Sequence, residues 1–96
     1  MTKKKQLDKT PKEIAEWMVE KICEEEYVLH EDMVIEIQQI FGKKNTYKNV
    51  NDNYAISKEI LKEFRKLNEG VIVWVRSDKA WRLIEADDPI GVRQVD

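Results

Sequence analysis

Two short β-prone runs near the end of the chain constrain its fold most. Val71-Ile72-Val73-Trp74-Val75-Arg76 and Ala80-Trp81-Arg82-Leu83-Ile84 are separated only by Ser77-Asp78-Lys79. β-Branched and aromatic residues suit a pleated surface, and so short a connection predicts an antiparallel hairpin. A two-stranded hairpin is marginal alone in water, so its apolar residues need cover from the rest of the chain. Alternation puts Val71, Val73 and Val75 on one side and Ile72 and Trp74 on the other. Both sides are apolar, which predicts packing beyond one face.

The chain ahead of the hairpin has helical periodicity. Thr10-Pro11-Lys12-Glu13 is a helix start: Thr10 caps, Pro11 suits the first helical position, and Glu13 completes a capping box. Ile14, Ala15, Met18, Ile22 and Cys23 follow on one stripe, with a helix end near Glu26 and Glu13, Glu16, Glu20 and Glu24 outward. Tyr27-Val28-Leu29 is an extended connection or edge strand. A second helix is expected from His30 to Asp32 onward, burying Met33, Val34, Ile37, Ile40 and Phe41 and stopping at Gly42. Residues 43–53 are polar and Asn-rich and read as a loop. Asn53 is expected to cap a third helix, Tyr54 to Asn68, with the stripe Ile56, Ile60, Phe64 and Leu67.

Length and composition fit one domain. Ninety-six residues with 42% hydrophobic content suffice for one modest core. No apolar run approaches the roughly 20 residues that cross a bilayer, and the basic start lacks the apolar stretch of a secretory signal. One cysteine excludes an internal disulfide, so a cytoplasmic protein is expected, with Cys23 a small buried apolar residue. The expected organisation is a flexible basic tail over 1–9, a domain over 10–86, and an extended tail over 87–96. Its class is α+β, mostly α: a winged-helix-like three-helix domain with a C-terminal β-hairpin. The short strand at 27–29 is expected on the hairpin's edge.

Asn53-Tyr54-Ala55-Ile56 with Leu61 and Phe64, then Val73-Trp74, Trp81-Arg82-Leu83 and Asp88-Pro89, resembles an uncharacterised family of small bacterial proteins. The likeness runs over most of residues 11–95. It implies a bacterial or phage origin and carries over no catalytic residue.

The net charge of -2 hides an uneven distribution. Residues 1–12 carry +4, residues 13–41 carry -8, residues 42–69 carry +3 and residues 70–96 carry -1. In the third helix, Lys58, Lys62, Arg65 and Lys66 fall opposite the core stripe. In a DNA-binding winged helix this face meets the major groove, where its cations would hold phosphates and Ser57 or Asn53 would lie near base edges. Lys43, Lys44 and Lys48 precede it, Lys79 adds a charge from the hairpin tip, and Arg82 is within reach of a phosphate. Any solvated surface helix also presents such a face, here with Glu59–Lys62 and Glu63–Lys66 pairs available. Trp74 and Trp81 form either a core pair or a surface on which a base or partner stacks, with the core preferred; Trp17 and Tyr27 are judged the same way.

Nothing in the pattern indicates an enzyme. His30 has no nearby Cys or Ser partner and is expected to cap the second helix or lie exposed. The acids around it lack metal-ligand spacing, Asp87-Asp88 reads as a turn, and the three glycines are isolated. No cofactor, metal or small-molecule ligand is indicated. The expected function is a non-enzymatic binding module, DNA-binding through the third helix (Lys58, Lys62, Arg65 and Lys66, with Lys79). The alternative is a protein-interaction module or homodimer, motivated by the apolar hairpin and the acidic first helix.

Overall fold

The computed structural model describes residues 7–88 and 94–95. The chain is a mixed α+β fold of three helices, a four-stranded sheet and a separate two-stranded ribbon. Helix α1 spans Pro11–Glu25. Its start is fixed by a reciprocal capping box: Thr10 Oγ1 accepts from the Glu13 amide at 3.2 Å, and the Glu13 carboxylate accepts from the Thr10 amide at 3.0 Å. Such a cap contributes about 1 kcal/mol. The helix ends at Glu26, which adopts a left-handed conformation and donates to the Ile22 carbonyl at 2.7 Å.

Strand β1, Tyr27–Leu29, leads directly into helix α2, His30–Phe41. Gly42 stops α2 with φ 102°, a backbone geometry that glycine adopts without steric cost. Helix α3 is Lys58–Asn68, and strands β4 (Ile72–Val75) and β5 (Ala80–Leu83) follow it. The sheet order is β1-β5-β4-β6, where β6 is Gln94–Val95. The first three strands pair antiparallel; β6 joins β4 in parallel, so the β4–β5 hairpin is not the last element.

Residues 43–56 depart most from the sequence-based expectation. The expected loop is a 3-10 turn, Lys43–Asn45, followed by strand β2, Thr46–Lys48. Strand β3, Tyr54–Ile56, pairs antiparallel with β2. Asn49 makes this possible: its side-chain oxygen accepts from the amides of Asn51 and Asn53, and its amide donates to the Asn53 carbonyl. Asn53 therefore closes a hairpin and does not cap α3. The helix starts four residues later than expected, after Ser57, whose side chain makes no cap bond. The chain thus carries strands beyond the expected hairpin and edge strand.

One core joins the three helices to one face of the larger sheet. Ile14, Met18 and Ile22 of α1 meet Ile60 and Phe64 of α3, Met33 and Ile37 of α2, and Val28, Ile72 and Trp81 of the sheet. Val73, Val75 and Ala80, on the other sheet face, are also buried. The hairpin's apolar surplus is therefore largely absorbed by packing. Three core expectations fail. Cys23 is exposed, because it falls well off the centre of the Ile14–Met18–Ile22 stripe. Tyr27 is 44% exposed, because Val28 takes the core-facing position of β1; the tyrosine hydroxyl donates to Asp78 at 2.8 Å. Leu67, at the edge of its stripe in the last turn of α3, is 37% exposed. Trp17 is half-buried, packed edge-on against Phe41 at 5.2 Å between centroids.

The first described residues are tied to this body. The Leu7 amide donates to the Ile40 carbonyl at 2.7 Å, and Lys44 pairs with Asp8 at 3.0 Å. Lys3, Lys4 and Lys5, and residues 89–93 of the expected C-terminal extension, lie outside the described residues. No helix is long and apolar enough to cross a membrane among the described residues.

Candidate functional site

The outer face of α3 carries a band of exposed cations. Ile60 and Phe64 turn into the core, so the rotation of the helix places Lys58, Lys62, Arg65 and Lys66 in solvent. Lys66 pairs with Glu63 at 3.5 Å. The expected Glu59–Lys62 pair does not form. Lys58, Lys62 and Arg65 have no carboxylate within 4.0 Å among the described residues. Lys62 shares a shallow groove with Lys12, Glu59 and Glu63 against the start of α1.

Lys79 sits apart from this band, at the tip of the β4–β5 hairpin with φ 51°. Its carbonyl accepts from the His30 amide at 2.9 Å, so the tip is pinned to the first residue of α2. Arg82 is not available to a phosphate. Its guanidinium holds Asp88 through two bonds of 2.8 and 3.0 Å and also donates to the Leu83 carbonyl at 2.9 Å. The Asp88 carboxyl, further bonded by the Glu85 amide, is lowered to about 2. Asp87 and Asp88 thus belong to a turn braced by Arg82.

Between α3 and the sheet lies a cleft of about 590 Å³. Its lining comes from α3 (Leu61, Phe64, Arg65, Asn68), the start of α2 (His30), β4 and β5 (Trp74, Trp81), and β6 (Gln94). The aromatic side chains touch one another. Trp81 lies 5.0 Å from Trp74, 5.6 Å from His30 and 5.5 Å from Phe64, centroid to centroid. His30 neither caps α2 through its side chain nor lies exposed. It packs against both indoles, and burial, with a smaller effect from Lys79, pushes its pKa below the usual imidazole value. The imidazole is therefore an uncharged aromatic wall at neutral pH.

Sequence reasoning missed this cleft. One signal was present: Leu61, Phe64, Arg65 and Asn68 recur at steps of three and four and so share a flank of α3. The convergence of His30 and Gln94 depends on strand pairing, which that spacing does not reveal.

A second basic cluster lies where the 3-10 turn meets the β2–β3 ribbon. The Lys43 and Lys48 ammonium groups each stand 5.6 Å from the Tyr54 ring, although Lys48 also pairs with Asp52 at 3.3 Å. The acids of the first two helices meet instead at Lys21, which bridges Glu25 of α1 and Glu36 of α2. No group of three or more His, Cys, Asp and Glu side chains converges as a metal site among the described residues.

Comparison with curated proteins and with solved structures finds no match. A family model does match, over residues 10–83, from the capping threonine of α1 to the end of β5. The chain belongs to the family of unknown function DUF6953.

Proposed function

We infer that this chain is a non-enzymatic DNA-binding module that meets the duplex through the outer face of α3. The carrying observation is that Lys58, Lys62 and Arg65 are exposed on one helix face with no carboxylate partner among the described residues. A free ammonium or guanidinium can exchange its counterion for a phosphate without first breaking an ion pair.

The order of elements supports the same reading. With the β2–β3 ribbon and β6 set aside, the order is helix, short strand, two helices and hairpin, with β1 paired on β5, which is consistent with a winged helix. There the third helix lies in the major groove and the hairpin flanks it. In this reading the β2–β3 ribbon is an insertion ahead of the recognition helix, Lys79 adds a contact from the wing, and Lys66 adds less because Glu63 already holds it.

Mobility shift of random duplex DNA at low salt tests the proposal. The wild type should bind non-specifically, more tightly than the roughly 10⁻⁴ to 10⁻⁶ M typical at physiological salt. The folded Lys58→Glu/Lys62→Glu/Arg65→Glu variant should not bind. Equal shifts by the two proteins would contradict the assignment.

One observation favours a second reading, self-association. Strand β1 is a sheet edge, and its Tyr27 and Leu29 are 44% and 39% exposed. Edge strands with exposed apolar side chains are templates for pairing. Light scattering over a concentration series distinguishes a strict monomer from a dimer built on β1.

A further inference from the structure

The cleft beside α3 offers chemistry that the cationic band does not. Trp74 and Trp81 form its aromatic side, and Trp74 is only half-buried, so part of its side chain is accessible. Arg65, Asn68 and Gln94 form its polar rim. The side chains of all three lack hydrogen-bond partners among the described residues. Gln94 stands beside Trp74 because β6 pairs with β4 at that residue. The volume of about 590 Å³ lies within the range of small-ligand sites.

A nucleobase matches this set of groups. Its flat face suits an aromatic wall, its edge presents donors and acceptors to two carboxamides, and the attached phosphate suits a guanidinium. His30 contributes an uncharged ring, so it adds stacking surface without a competing charge. Arg65 belongs both to the cationic band and to the cleft rim, which makes the two surfaces continuous.

We propose that the cleft takes one unstacked base of the bound DNA, stacked on Trp74, with Arg65 on its phosphate. This rests on the α3 reading above and narrows it: the preferred DNA carries an unpaired base beside a duplex.

Fluorescence anisotropy of the full chain tests it with two labelled probes, a blunt duplex and the same duplex bearing a single-stranded thymidine overhang. The wild type should bind the overhang probe about tenfold more tightly than the blunt one. Trp74→Ala should lose that margin and keep its affinity for the blunt duplex, while Trp74→Phe should keep most of the margin. If Trp74→Ala fails to fold, Asn68→Ala/Gln94→Ala takes its place and should also reduce the margin. Equal affinity of the wild type for both probes, or a margin that survives these changes, overturns the base slot and leaves the α3 reading standing. Failure to bind either probe at low salt overturns both.

Discussion

Trp74 and Trp81 stand directly opposite one another across β4 and β5, with ring centroids 5.0 Å apart. Both line the cleft, but they differ in burial. Trp81 is 6% exposed and packs edge-on against Phe64 of α3, whereas Trp74 keeps part of its ring at the cleft.

Truncating the two indoles should therefore have unequal effects. Trp81→Ala should cost about 3–5 kcal/mol, as expected for a large aromatic removed from a core. Trp74→Ala should cost about 1–2 kcal/mol, within the ordinary range for a partly exposed side chain. Urea unfolding with an unchanged m-value measures both. Equal losses would contradict this difference in burial.

Acid should unfold the protein partly through Asp88. Its paired guanidinium holds the folded carboxyl at about 2, against 3.8 for the free group. A depressed carboxyl stabilises the fold above the unfolded value, and that contribution disappears as pH falls from 3.8 through about 2. Thermal melts between about pH 5 and about pH 2 should therefore fall more steeply for the wild type than for Asp88→Asn. Parallel curves would show that the bidentate pair makes no net contribution.

His30 should act at milder pH and by a different cause. Burial against the indoles disfavours its charged form, so the unfolded chain takes up a proton near 6.5 while the folded chain resists. Stability present above pH 6.5 should decline as pH falls from there toward the folded pKa. His30 is the only histidine, so its imidazole proton signals can be followed by NMR without ambiguity. The midpoint should lie below 6.5, and His30→Phe should remove this slope from the melts. A midpoint at or above 6.5 would contradict the packing described.

The legible parts of the fold are those written in local chemistry. Thr10 and Glu13 three residues apart specify a capping box, and one is present. Gly42 ends α2, and β-branched residues around Ser77-Asp78-Lys79 specify the hairpin. The ribbon at 46–56 is hidden because each strand has three residues, too few for alternation to register, and because Asn49 secures it through its own turn. Tyr54-Ala55-Ile56 also continues the apolar spacing of α3, which makes the helix read too long. At the site, the helical period alone puts Lys58, Lys62, Arg65 and Lys66 outward. It does not show that Glu63 takes Lys66 while Lys62 has no carboxylate partner among the described residues, or that Arg82 is held by Asp88, because those pairings depend on rotamers and on the path of the chain after β5.

The proposed DNA binding through α3 rests on cations that have no carboxylate partner among the described residues, and the salt dependence of binding tests them most directly. Each phosphate left without its cation should reduce the slope of log K against log salt by about 0.9. Lys58→Gln/Lys62→Gln/Arg65→Gln keeps good helix formers at all three positions. Compared with the wild type on the same duplex, it should bind more weakly and with a slope smaller in magnitude by about 2.7. A variant with wild-type affinity and an unchanged slope would show that DNA does not contact this face.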